Sequence, residues 1–345
     1  YSCGPTVYDY QHIGHMRRYV GDDILIRVLK FNNFDVHHVM NITDVGHLVS
    51  DADEGEDKME KGARKFGLSV WDIAKKFEKQ FKDSCSLLNI VLPKDLMHAT
   101  DYIKEQIDLI RKLEEKGFTY KTTDGIYFDT SKFPDYFKLS RQNPEELRGG
   151  VRVGLGEKKN VSDFALWKFS PSASSGQAQK RQMEWESPWG LGFPGWHIEC
   201  SAMSMKALGE SFDVHTGGID HVNIHHTNEI AQAEAVTGKP FVKYWVHHAF
   251  LTVEGQKMSK STGNIYTAQD VIDRGFDPMA LRYLYLQTHY RQKMNFTWEA
   301  LEASQTALNK LRNDFLSWGE AKVGCAEFEQ KFMDAVNEDL NMPAA

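Results

Sequence analysis

At 345 residues, with 41% hydrophobic and 26% charged side chains, the chain has a globular composition and enough length for two or three units. Its formal net charge of −7 argues against a surface given over wholly to nucleic acid, although basic side chains can still gather on one face. No run approaches the roughly 20 apolar residues of a membrane helix, and four scattered cysteines exclude a disulfide framework, so a reducing cytoplasm is expected.

Tyr1 to Val7 reads as the end of a strand. Val20, Ile24 and Val28 predict a helix from His12 to Lys30, ended by Asn32-Asn33. Phe34 to Met40 follows as a strand, and this strand–helix–strand order predicts a parallel α/β sheet. Ser69 with Asp72 is a capping-box signature. The helix it opens sets Ile73, Phe77, Phe81 and Cys85 at four-residue intervals, which makes Cys85 a core thiol. Another helix starts near Thr100 and stops at Gly117.

The texture then changes. Residues 118–129 predict a hairpin turning at Asp124-Gly125, 148–159 are glycine-rich and charged, and 170–179 form a low-complexity loop. Residues 117–188 thus read as an insertion between two halves of the sheet domain. The α/β texture resumes near Phe193. Thr267 with Asp270 opens a helix to about Arg274, Asp277-Pro278 opens the next, and a long one runs from Trp298 to Trp318. The chain opens at Tyr1 without a methionine or a signal-peptide pattern, and is expected to be a piece of a longer protein.

Three sets of residues carry chemistry. His225 and Glu229, four apart, face one side of a helix. With Cys3 and Cys200 they would offer Zn²⁺ two thiolates, an imidazole and a carboxylate. The residues alone fit equally well two small buried thiols and an exposed histidine. His12-Ile13-Gly14-His15 opens a helix, where backbone N–H groups and the dipole favour an anion. Read alone, it is also an ordinary solvated helix start. Lys257-Met258-Ser259-Lys260-Ser261, between Gly255 and Gly263, is a cationic loop suited to the β- and γ-phosphates of a nucleotide, or else a solvated basic turn. It is no Walker loop, since G-x-x-x-x-G-K-[ST] is absent. His215-Thr216-Gly217-Gly218-Ile219-Asp220 is a further glycine turn whose Asp220 suits a ribose.

In this order, Tyr1-Ser2-Cys3-Gly4-Pro5-Thr6-Val7-Tyr8-Asp9, His12-Ile13-Gly14-His15, Asn41-Ile42-Thr43-Asp44, Gly195-Trp196-His197-Ile198-Glu199-Cys200-Ser201 and the Lys257–Ser261 loop resemble the cysteinyl-tRNA synthetases. The resemblance runs over nearly the whole chain. It implies an α/β class I synthetase: a Rossmann-type parallel-sheet catalytic domain (1–116 and 189–250) with a connective insertion (117–188). A stem-contact region with the lysine loop (251–296) and the start of a helical bundle (297–345) follow, the anticodon-reading end being absent.

The resemblance implies zinc on Cys3, Cys200, His225 and Glu229, and Mg²⁺ with ATP. Gly4, Thr6, Thr43 and Trp196 would wall the amino-acid pocket. His12, Gly14, His15, Asp220, Lys257 and Lys260 would serve the nucleotide, with His12, His15, Lys257 and Lys260 catalytic. The partners implied are ATP, L-cysteine and tRNA(Cys), with a monomeric, cytoplasmic enzyme and no membrane. A rival is a ligase on the same scaffold that joins cysteine to an amino sugar. Thr227 stands where the family usually has Glu, and Asn223-Ile224 where it usually has Phe-Pro, which puts the orientation of His225 in question. Four protein ligands usually close a zinc site, so the metal is expected to become five-coordinate on binding cysteine, or Glu229 to loosen.

Overall fold

The computed structural model describes residues 1–46, 57–143, 157–170, 181–259, 262–320 and 323–345. The loop expected at 170–179, apart from Ser170, and most of the stretch at 148–159 lie outside them, as do Lys260 and Ser261.

His12 caps helix α1 (Ile13–Phe31): its side chain accepts from His15 N, and His15 returns the bond to His12 N. This reciprocal pair satisfies two of the backbone donors that a helix start leaves open. The next strand, β1 (Met40–Ile42), begins where sequence reading ended it. Residues 34–39 form no regular strand: Phe34 and Asp35 face solvent, and Phe34 N donates back to the Leu29 carbonyl at 3.0 Å. Helices α2 (Lys58–Phe66) and α3 (Val70–Leu87) follow, the second capped by Ser69, whose Oγ accepts from Asp72 N. Then come β2 (Leu96–His98) and α4 (Ile103–Glu115), which a short 3₁₀ turn at Ala99–Tyr102 precedes.

The expected hairpin is present as β3 (Thr119–Lys121) and β4 (Gly125–Phe128). With β5 (Phe164–Phe169) and β6 (Gly192–Pro194) it makes a four-stranded antiparallel sheet in the order β3-β4-β5-β6. Helix α5 (Ile198–Leu208), β7 (Phe212–Gly218), α6 (His225–Thr237) and β8 (Val242–His248) return the chain to parallel topology.

Two parallel pairs, β2-β1 and β7-β8, are joined through Ser2, which bridges Met40 on one side and Thr216 on the other. The first segment pairs only through such bridges, at Ser2 and at Thr6 with Thr43. It lies where the chain leaves first toward β1 and later toward β7, the switch point at whose carboxyl end α/β sheets bind ligands.

Strand side chains divide between two buried clusters. Met40 and Ile42 pack with Met16, Val20, Phe77 and Phe81. Cys3, Val39, Met97 and Val242 pack with Ile110, Trp167, Met203 and Phe241. A sheet covered on both faces is the expected setting for parallel strands.

Beyond β9 (Leu251–Val253) come α7 (Ala268–Asp273), capped by the Thr267/Asp270 box, and α8 (Pro278–Leu286), with Pro278 in its first turn. Strand β10 (Met294–Phe296) pairs in parallel with β9, and α9 (Trp298–Ser317) and α10 (Ala326–Asn337) end the chain. Among the described residues no helix is long and apolar enough to cross a membrane.

Candidate functional site

Helix α6 has almost no apolar periodicity, yet every residue from His225 to Ala233 is buried. Burying so many polar groups is costly unless each finds a partner. Tyr136 donates to Asn228 at 2.5 Å, Ser201 Oγ donates to Gln232 at 2.6 Å, and Thr227 Oγ1 donates to the Val222 carbonyl at 2.7 Å. Thr227 therefore closes the turn that leads into α6. His225 is oriented from elsewhere, by His197, whose Nδ1 is 2.7 Å from its own. His197 sits at φ 84, a left-handed conformation rare for a residue with a side chain, just before α5.

Against this helix the structure gathers one ligand atom each from Cys3, Cys200, His225 and Glu229, all within 4.8 Å of one another and all buried. They come from four places: the switch-point segment, the first turn of α5, and two successive turns of α6. Cys3 is held through its backbone, since its carbonyl accepts from Arg18 Nη2, and Arg18 is paired with the buried Asp22 at 3.3 Å.

Burial pushes the Cys3 thiol up, but the Cys200 hydrogen bond and the nearby His225 and His215 outweigh it and hold Cys3 well below the usual thiol range. Cys200 is pushed up by that hydrogen bond and by burial. Burial opposes the charge on His225, yet Cys3 and Glu229 raise it well above an ordinary imidazole. Burial also opposes the charge on Glu229, but His215 and His225 lower it. The shifts favour negative charge on Cys3 and Glu229 and positive charge on His225, a pattern that a divalent cation can replace. Glu229 Oε1 is buried and accepts no hydrogen bond. A buried carboxylate oxygen whose near neighbour is the His225 imidazole, among thiols, fits a metal ligand set.

A further group orients these donors. His215, facing inward from β7, lies with Nε2 2.9 Å from Glu229 Oε2. His226 Nε2 is 3.6 Å from Cys3 Sγ, and its Nδ1 is 2.8 Å from His247 Nε2. Cys3, His215, His226 and Glu229 form a second quartet within the same 4.8 Å limit. Sequence reasoning passed over His197, His215, His221, His226 and His247 as site residues. The His225-His226 doublet was the signal available, since period two along β7 puts His215 on the face of the exposed Asp213.

The proposed pocket residues adjoin this cluster. Gly4 N donates to Asn41 Oδ1 at 2.6 Å, and a side chain at Gly4 would strike the Asn41 carbonyl. Thr43 Oγ1 accepts from Asn41 Nδ2 at 2.9 Å, and Thr6 bridges Thr43. The Trp196 ring stands 5.4 Å from that of His225 and carries Lys58 Nζ 4.6 Å from its centroid.

The two phosphate signals also meet. The rings of His12 and His15 stack 3.5 Å apart. Burial lowers the first to about 4 and the second well below the ordinary imidazole value, so both are neutral near pH 7. A methyl group on Gly14 would lie 2.4 Å from Met258 Cε. The lysine loop therefore packs onto the start of α1, its turn tied by Asn264 to Ser259 N and to the Lys257 carbonyl. Lys257 is exposed, and so is Asp220, in the 3₁₀ turn after β7.

The family model for the tRNA synthetases class I (C) catalytic domain matches residues 1–306. Over 100% of its length the chain is 54% identical to Cysteine--tRNA ligase 1 of Burkholderia lata, covering 73% of that protein. It is 48% identical over 100% of its length to Cysteine--tRNA ligase of Treponema denticola, covering 69% of it. Among solved structures, the methionyl-tRNA synthetase of Mycobacterium tuberculosis in complex with methionyl-adenylate superposes with a TM-score of 0.68. That match spans 99% of this chain and 79% of the other at 16% identity, and so speaks for the fold. With a class I synthetase fold and about half its residues shared with such relatives over its whole length, the chain belongs to the cysteine--tRNA ligase family of class I tRNA synthetases.

Proposed function

We propose that the chain activates L-cysteine with ATP to cysteinyl adenylate and transfers the cysteine to the 3′-terminal adenosine of tRNA(Cys). The observation that carries this reading is the convergence of Cys3, Cys200, His225 and Glu229 within 4.8 Å, beside a stacked His12/His15 helix start. Those four residues would hold Zn²⁺, which favours a deprotonated substrate thiol that a serine hydroxyl cannot match near pH 7. An apolar pocket alone discriminates such near-isosteres only about 10²-fold.

The protein's own groups do the rest by position. Gly4, Thr6, Thr43 and Trp196 wall the amino acid. The N-terminus of α1 and the two neutral imidazoles offer hydrogen bonds to the α-phosphate as the substrate carboxylate attacks it. Lys257 and Lys260 take charge on the departing pyrophosphate, and Mg²⁺ brought with ATP would add positive charge there. Asp220 holds the ribose. No covalent enzyme intermediate is required.

In this reading residues 1–116 and 189–250 form the catalytic domain, and 117–188 the connective insertion. Residues 251–296 contact the tRNA stem, and 297–345 begin a helical bundle. The enzyme works as a monomer in the cytoplasm. The comparisons give the amino-sugar ligase no support.

The test is cysteine-dependent ATP–pyrophosphate exchange by zinc-loaded protein, repeated after chelation. Exchange that needs both cysteine and metal is expected. Exchange driven equally by serine, or unaffected by removing the metal, overturns the reading.

A further inference from the structure

Helix α1 carries a buried cation two residues after His15. Arg17 is 5% exposed, and burial lowers it only to about 10, so it stays charged near pH 7. Its fork is engaged by main-chain oxygens. Nη1 donates to the carbonyls of Ala249 and Phe250 at 2.9 and 3.1 Å, and Nη2 to those of His289 and Gln292 at 3.2 and 2.8 Å. A charge taken out of water needs such partners, and two segments distant in sequence provide them. One leads into β9 and the other into β10, the parallel pair in which Met294 N also donates to the Phe250 carbonyl, at 3.0 Å. One planar guanidinium therefore fixes the leading ends of both strands against α1, in a fork geometry that a lysine ammonium cannot copy.

Beyond β9 the chain turns, with Gly255 N donating to Asn295 Oδ1 at 2.7 Å, and reaches Lys257. On the far side of the lysine loop, the Tyr266 carbonyl accepts from Ile13 N at 2.8 Å. Ile13 precedes Arg17 by four residues, so both ties lie on one face of α1. Between them, the absent side chain of Gly14 leaves room for Met258. The exit tie joins main chain to main chain, whereas the entry tie depends on one side chain, that of Arg17.

We propose that Arg17 is a positioning residue for adenylate formation: it holds the β9–β10 pair against α1 so that Lys257 stands beside the His12/His15 helix start when pyrophosphate leaves. The inference rests on the cysteine reading above. Because carbonyls engage its guanidinium, Arg17 acts through the loop rather than on the nucleotide. Displacing a group that acts on the transition state by about 1 Å costs about 10²-fold in rate. Ground-state binding of cysteine, made elsewhere in the site, is left as it was.

Cysteine-dependent ATP–pyrophosphate exchange by the zinc-loaded protein supplies the test. The variants are Arg17→Met, Arg17→Lys and, as a control for lost stability, Arg282→Met, which breaks a buried pair with Asp23 farther along α1. In Arg17→Met kcat should fall about 10²-fold, with bound zinc unchanged and the KM for cysteine within about twofold. Arg17→Lys keeps the charge but not the fork, and should regain about tenfold of that loss. Arg282→Met should keep kcat within about twofold. Unchanged kcat in Arg17→Met overturns the inference. Should that variant fail to fold, Arg17→Lys decides alone, and a kcat equal to that of the unaltered protein overturns it. An equal fall of kcat in Arg282→Met overturns it by making the loss one of stability, and loss of zinc from Arg17→Met does so by placing the damage at the metal. Absence of cysteine-dependent exchange in the unaltered protein overturns the cysteine reading itself, whereas exchange intact there and in Arg17→Met overturns this inference alone.

Discussion

Glu229 Oε1 lies 2.9 Å from His225 Nε2, one helical turn away, in an ion pair buried on both sides. This buried ion pair holds both side chains toward the space that Cys3 and Cys200 also face. Glu229→Gln preserves size and removes the negative charge, leaving a neutral amide among two thiols and an imidazole. Zinc affinity should fall by at least roughly 10²-fold, more than is typical for loss of an orienting partner. Competition with a chromophoric chelator measures it, and an affinity equal to that of the unaltered protein would remove Glu229 from the ligand set.

Of the two thiols Cys3 is the one held below the usual range, by the Cys200 hydrogen bond and the nearby His225 and His215, and its backbone is fixed by Arg18. Cys3→Ser keeps that backbone and replaces a soft ligand by a hydroxyl that stays protonated. Selection of cysteine over serine in pyrophosphate exchange should drop to about 10² or less, the level that shape alone supplies. Retained discrimination in this variant would count against a metal-based choice of thiol.

Local chemistry made part of this molecule legible in advance. Ser69 with Asp72, Thr267 with Asp270 and Asp277-Pro278 each opened a helix where the sequence put it, because capping is settled within four residues. The first segment was harder. Its pairing rests on Ser2 meeting both Met40 and Thr216, partners that only the folded sheet brings together. Helix α6 offered no apolar stripe, since it is buried on all sides and its polar groups are satisfied by Tyr136 and Ser201 from other elements. The four metal candidates could be named from residue type and the His225–Glu229 spacing. The orienting roles of His197 and His215 depend on contacts that no spacing encodes.

A buried pair far from the chemistry fixes α1 against α8. Arg282 Nη2 donates to Asp23 Oδ2 at 2.6 Å, and Nη1 donates to the carbonyls of Leu88 and Asn89 at 2.8 and 3.0 Å. Removing one partner of such a pair strands the other groups in a dry interior. Arg282→Met should lower the unfolding free energy by about 3 kcal/mol, toward the lower end for broken buried pairs because Asp23 keeps Arg27 at 2.8 Å. Urea denaturation gives the number, and a change within about 0.5 kcal/mol would show the pair to be energetically neutral.

His38 ties acid stability to the switch-point segment, because its Nε2 is 3.0 Å from Ser2 Oγ and burial depresses it to about 4 from an ordinary 6.5. The unfolded chain takes up a proton as pH falls through about 6.5, whereas folded His38 stays neutral until about 4. Its contribution is therefore fully present above pH 6.5 and is lost on acidification toward pH 4, at no more than about 1.4 kcal/mol per pH unit. His12 and His247, also lowered to about 4 by burial, add their own losses over the same window, so only a difference isolates His38. His38→Gln keeps an amide that can reach Ser2 and does not titrate. Urea unfolding of both proteins at pH 7.5, 6 and 5 should show the shallower decline in the variant. Parallel slopes would mean that the imidazole is as easily protonated in the folded protein as in the unfolded chain.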